Sequence, residues 1–238
     1  MDTVQGKVDG SANGCEAISA LIVAVHLYGE LSPDKVKQII ERDCVPILRE
    51  LWVRPENEVG SSLVPSDVHD YLYKLKLLRS EDYREPPCGG NILDNTHLDN
   101  FISLISAPEV QSMKAGATLF FCGHSMSIVR DANSEQYLLM DSWDEEPSAE
   151  LGRTARMTSL SGTAALRSKI QVHAVGKLSD DEINKPWQEK KMEEDRRTFQ
   201  TCLWMAKPDI APTYDHVLAR ILGMYGHHNL CFVLFHSH

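Results

Sequence analysis

The chain has little that would commit it to a metal cluster, a membrane or a nucleic acid. Its six cysteines, Cys15, Cys44, Cys88, Cys122, Cys202 and Cys231, include no C-x-x-C pair, so a thiolate zinc site lacks its usual spacing. No block of Lys and Arg offsets the formal net charge of -10. A phosphate-binding surface needs clustered positive charge, so nucleic acid is not expected as a partner. The most apolar early stretch, Ala17 to Leu27, is too short to cross a bilayer and contains His26, which argues against a membrane association. Aromatic residues make up 7%, and Trp52, Trp143, Trp187 and Trp204 are scattered, so no stacking platform emerges. There is no internal repeat and no low-complexity segment.

Met1 is followed by Asp2, Lys7 and Asp9 with no apolar run before Cys15, which is unlike a secretory signal. Scattered cysteines in that setting suggest free thiols in a reducing compartment. The expectation is a cytoplasmic, intracellular protein, including one delivered into a host cell. Hydrophobic residues make up 42% and charged residues 24%, enough for one substantial core. The acidic balance favours a basic protein or peptide as partner.

Element patterns divide the chain into a mainly helical half, 1–115, and a sheet-containing half, 116–238, of one domain. Cys15 to Tyr28 carries Ile18, Leu21, Ile22, Val25 and Leu27, the pattern of a buried helix stopped by Gly29. Ser32-Pro33-Asp34 starts a second helix, which Val45-Pro46 is expected to break, with room for a short further helix through Leu51. Ser66 can cap a helix through Leu78, and Thr96 a shorter one. From Ala117 the texture turns to strands: Thr118 to Cys122, His124 to Arg130 and, after the turn Asp131-Ala132-Asn133-Ser134, Gln136 to Met140. Ala165 to Ala174 is ambiguous, with Ile170, Val172 and Ala174 alternating as in a strand. Ser179 and Glu182 have capping-box spacing, and the charged run to Arg197 reads as a solvated helix. Two late strands are expected at Cys202 to Met205 and Leu230 to Phe235. Helices first and strands second favour an α+β fold.

Three residues stand out for chemistry. Cys15 follows Asn13-Gly14 at the start of the first helix, where free N–H groups and the positive dipole end favour a thiolate and the Cys15 N–H could hold an oxyanion. By itself Cys15 reads as a small buried residue. His124 opens one strand, and Asp141 ends the next, 17 residues later. An antiparallel pairing brings both to the same end of the hairpin, where the carboxylate can fix the imidazole tautomer. Singly, each reads as an ordinary strand-end or turn residue.

The order Cys15, His124, Asp141 resembles the papain-like cysteine peptidases, and Asp141-Ser142-Trp143 is similar to their Asn-Ser-Trp motif. The resemblance covers residues 9–28 and 118–144. It implies a papain-like α+β fold, a helical half carrying the nucleophile packed on an antiparallel sheet half, and a thiol protease that cleaves amide or isopeptide bonds. Cys15 would be nucleophile, His124 general base and Asp141 its orienting acid, with no metal and no organic cofactor. Asn13 is an oxyanion candidate, though only two residues from Cys15; Gln5 is an outside one. Trp143 would shield the His124–Asp141 bond. Intracellular members of this type without a propeptide are often deubiquitinases, so ubiquitin or a ubiquitin-like modifier is the expected partner.

Other readings stay open. A transglutaminase-like enzyme or deamidase acting on protein glutamine shares the Cys, His, Asp order, and a non-catalytic interaction module would carry the triad by accident. Asp67, His69 and Asp70 read as the polar face of an amphipathic helix, since Asp67 and His69 do not share a face. His97 reads as a helix-start residue. His216, His227, His228, His236 and His238 crowd the end without an acid or thiol at ligand spacing.

Overall fold

The computed structural model describes residues 14–52, 65–84, 88–144, 154–189, 195–208 and 214–219. Asn13, Gln5, the Trp143 side chain and the strand expected at 230–235 lie outside the described residues.

Helix α1, Cys15–Tyr28, is buried along its whole length. Such a helix must dispose of every polar group it carries, and α1 does. Ser19 Oγ donates to Glu16 O at 3.0 Å and shares a 2.8 Å bond with Ser125 Oγ. His26 Nε2 meets Arg130 O at 2.9 Å. Beyond Gly29 come α2, Pro33–Gln38, capped by Ser32, then a π-helical segment, Ile39–Asp43, and α3, Cys44–Trp52. The expected break at Val45-Pro46 does not occur. Pro46 cannot donate to Arg42, and the wider turn just before it, where Cys44 N–H reaches Ile39 O, lets the helix run on. Helix α4, Pro65–Lys74, stops short of Leu78 because Lys76 turns to φ +60.

After the short strands β1, Tyr83–Arg84, and β2, Gly89–Asn91, comes α5, Asn95–Ser106. Its cap is Asp94 rather than Thr96: the Asp94 carboxylate accepts from the backbone of Thr96 and His97. Strands β3, Lys114–Phe121, β4, His124–Arg130, β5, Gln136–Asp144, and β6, Thr154–Ser161, follow. Then α6, Gly162–Val175, and α7, Asp180–Asn184, lead into β7, Thr198–Ala206. The strand order is β1-β7-β3-β4-β5-β6, with β2 also on β7, and every pairing is antiparallel.

The region 165–174, where alternation suggested a strand, is helix α6. Leu166, Ile170 and Ala174 are its buried residues, spaced by four, and Val172 is exposed; that is a helical period. Within the charged stretch the capping box of Ser179 and Glu182 is present, but its helix is only five residues long.

The architecture is α+β, with two cores divided by the antiparallel sheet. On one face α1 to α4 pack against Val129, Met140, Ala155 and Trp204. On the other, α5 and α6 cover Leu119, Phe121, Met126, Ile128 and Leu139. Gly116 shows how closely α1 approaches: a Cβ there would lie 2.7 Å from Val23 Cγ1, inside contact distance.

Candidate active site

Three pieces of local structure deliver the sequence-predicted residues. The hairpin β3–β4 turns on Cys122 and Gly123, both with positive φ (53 and 68). Two such residues make the tight turn whose twist matches paired strands. Phe121 therefore pairs with His124, and His124 begins β4 with no slack. On β5, Asp141 follows Met140, which pairs with Ser127. Side chains alternate along a strand. Met126 and Ile128 face the α5–α6 core, and His124 shares their face; Tyr137 and Leu139 face it too, and Asp141 shares theirs.

His124 Nε2 lies 2.6 Å from Asp141 Oδ1, with the side chains 12% and 2% exposed. An ionised carboxylate can only accept, so Nε2 donates and Nδ1 keeps its lone pair. That is the tautomer a general base needs. A short charge-assisted bond away from bulk water also holds the ring against rotation.

Cys15 opens α1 with Gly14 at the cap. Its sulfur is buried, and the thiol donates to Glu16 Oε2 at 3.2 Å, while one turn on Ser19 Oγ meets Ser125 Oγ, of the residue after His124, at 2.8 Å. Cys15 thus lies beside the first residues of β4, but its resting hydrogen bond goes to Glu16 and not to His124. The expected depression of the thiol pKa is reversed: burial, then the Glu16 carboxylate, push it far up, outweighing the Ser125 amide. Glu16 is buried as well. Loss of hydration raises its carboxyl pKa, while the Cys15 bond and the His124 charge pull it back.

Two residues of this neighbourhood escaped the sequence. Glu16 sits next to Cys15 and reads as an ordinary first-turn acid. His173 comes from α6, whose sequence reads ambiguously; helical spacing places it with Ile170 and Ala174 on the buried stripe. Its Nε2 is 3.4 Å from Asp141 Oδ2 and its side chain 6% exposed. The ring meets Phe121 edge-on, with centroids 5.7 Å apart, and lies at 30° to the His124 ring, 6.4 Å away. Asp141 therefore has an imidazole toward each oxygen.

The other candidates do not join the site. His69 is not on a polar face: it is buried, edge-on to the Trp204 indole at 4.8 Å, and burial lowers its pKa to about 4. His97 does stand at a helix start, accepting from Asn91 N through Nδ1. Cys44 is buried in the α1 core and Cys88, Cys122 and Cys202 lie elsewhere at intermediate depth; all are free. His216 is exposed on the segment 214–219.

No protein-family model matches the chain, and no curated protein matches it. Among solved structures it is similar to the crystal structure of the Pseudomonas avirulence protein AvrPphB, at 11% identity and a TM-score of 0.34, over 80% of this chain and 91% of that one. A likeness so loose transfers no residue and no activity, and the site rests on its own geometry.

Proposed function

We propose that the chain is a thiol hydrolase of papain-like design, with 1–238 acting as one catalytic domain. The observation that carries this reading is the 2.6 Å pair of His124 and Asp141 at the end of β4 where Ser125 Oγ meets Ser19 Oγ of the helix that Cys15 opens, at 2.8 Å. His124 Nδ1 takes the thiol proton as Sγ attacks the carbonyl carbon. The C–N bond then breaks, and His124 returns the proton to the leaving amine. Water, activated by the same nitrogen, hydrolyses the thioester. Asp141 keeps the tautomer and stabilises the imidazolium. The N–H of Cys15, in the first turn of α1, has no acceptor within the helix and can receive the oxyanion.

With a thiol this resistant to ionisation, proton transfer accompanies attack rather than preceding it. Substrate must first turn the thiol from Glu16 toward His124.

The substrate is a protein, and within that class a ubiquitin or ubiquitin-like modifier. The support is electrostatic: a chain of formal charge -10 suits a basic C-terminal tail. A modifier probe with a C-terminal electrophile is expected to label Cys15 and no other cysteine. Labelling by a different modifier alone keeps the enzyme class and overturns ubiquitin. No labelling, with ammonia released from protein glutamine, replaces hydrolysis by deamidation or transglutamination.

A further inference from the structure

We propose that His124, Asp141 and His173 form a binding site for a single zinc-type divalent ion, and that its occupation switches the thiol enzyme off. The switching half rests on the reading of His124 as the base for Cys15; the metal site does not.

The donors come from three separate elements, β4, β5 and α6. One ligand atom from each lies within 4.8 Å of the other two. All are nearly dry, with side chains 12%, 2% and 6% exposed. Two imidazoles and a carboxylate are a common zinc ligand set, leaving a fourth position for water. In a tetrahedral site with bonds of roughly 2.0–2.2 Å, ligand atoms lie about 3.3–3.5 Å apart. The His173–Asp141 separation is 3.4 Å. The His124–Asp141 separation, measured to the other carboxylate oxygen, is 2.6 Å, so that pair would open and the carboxylate would turn to present one oxygen to the ion. Phe121 against the His173 ring supplies an apolar wall.

The ion would need the Nε2 lone pair of His124. That nitrogen now donates to Asp141, so its proton must move to Nδ1 through solvent, and no proton is lost overall. Nδ1 is the nitrogen left to accept from Cys15. Once protonated it cannot take the thiol proton, so metal on one edge of the ring disables the other. This differs from zinc poisoning through the thiol, because Cys15 is not a ligand.

The test separates the two halves. The full chain with Cys15→Ala, and with His227, His228, His236 and His238 each changed to Gln to lower the background, is dialysed against zinc. It should bind one ion more per chain than the same protein carrying His173→Leu or Asp141→Ala. Folding is checked by thermal melts, and His173→Gln replaces either variant that fails to fold. A zinc count unchanged by these substitutions overturns the site. In the protein with Cys15 intact, zinc should inhibit turnover, and the residual activity of His173→Gln should need about tenfold more zinc or beyond for half inhibition. Inhibition equal in both proteins overturns the switch. A bound ion without hydrolytic turnover in metal-free buffer supports the site and sinks the hydrolase reading together with the switch.

Discussion

Two histidines, His26 buried and His124 partly buried, lie toward opposite ends of α1, and each has an aspartate of the β4–β5 region beside it. At the Cys15 end, His124 Nε2 faces Asp141 at 2.6 Å, and that carboxylate is 2% exposed. At the other end, His26 Nε2 meets the Arg130 carbonyl at 2.9 Å, while Asp131 stands 4.0 Å off and 73% exposed. Lys114 Nζ donates to the His26 carbonyl at 2.8 Å. Burial lowers the His26 pKa and the neighbouring cations Lys114 and Arg130 add to it, against the Arg130 carbonyl and Asp131. So His26 is kept neutral by burial and the neighbouring cations, whereas His124 has a dry carboxylate ready to balance a positive charge. A cavity of about 360 Å³ opens at the His26 end, lined among others by Lys114, Asp131 and Gln136, and among the described residues no cysteine lines it. Residue type is equal at the two ends; partner and burial decide which histidine can do acid–base work.

The largest effect should come from treating the two histidines alike. Cys15→Ala is expected to abolish turnover of a fluorogenic modifier substrate, and His124→Ala to cost roughly 10²–10⁴-fold. His26→Gln, in a folded protein, should retain activity. Asp141→Asn keeps an acceptor for His124 but no charge, so it should lose part of the activity, and Asp141→Ala more. A folded, fully active Asp141→Ala removes Asp141 from the triad and moves attention to Asp144.

A second comparison is thermodynamic. His69 has its pKa lowered from 6.5 to about 4 by burial. The unfolded chain therefore binds the proton first as pH falls. Stability is fully present above about 6.5 and declines toward pH 4, by on the order of 3 kcal/mol for this group. His26, also lowered, acts in the same direction. Denaturant titrations at a series of pH values should show a shallower acid slope for His69→Phe; an unchanged slope would refute the assignment.

The smallest effect concerns Glu16. Its carboxylate contributes to the raised Cys15 pKa, second to burial. Glu16→Gln should raise the alkylation rate of Cys15 by a small reagent near neutral pH by about tenfold, the lower end of a one-charge neighbour effect. An unchanged rate would leave burial alone responsible.

Much of the site was legible because it depends on short-range order. The apolar run after Asn13-Gly14 required a buried helix beginning at Cys15. Two strands and a turn between His124 and Asp141 required both side chains to meet at one hairpin end. Helix starts at Ser32 and Ser179 were equally plain, since a capping side chain reaches only its own first turn.

Elsewhere, local patterns misled for stated reasons. Pro46 should stop a helix, but one π turn absorbs it. Ile170, Val172 and Ala174 alternate, but Leu166 and the exposure of Val172 belong to a helix packed on the far face of the sheet. That packing sends His173 to Asp141, a meeting of residues 32 apart in sequence that no periodicity announces. The sequence by itself determined which residues could do chemistry and the hairpin that joins His124 to Asp141. Only the tertiary structure decided the state of the thiol and the company of the carboxylate. Desolvation and charge act through space: α1 packed on the sheet buries the thiol beside Glu16, and α6 on the other face brings His173 to Asp141.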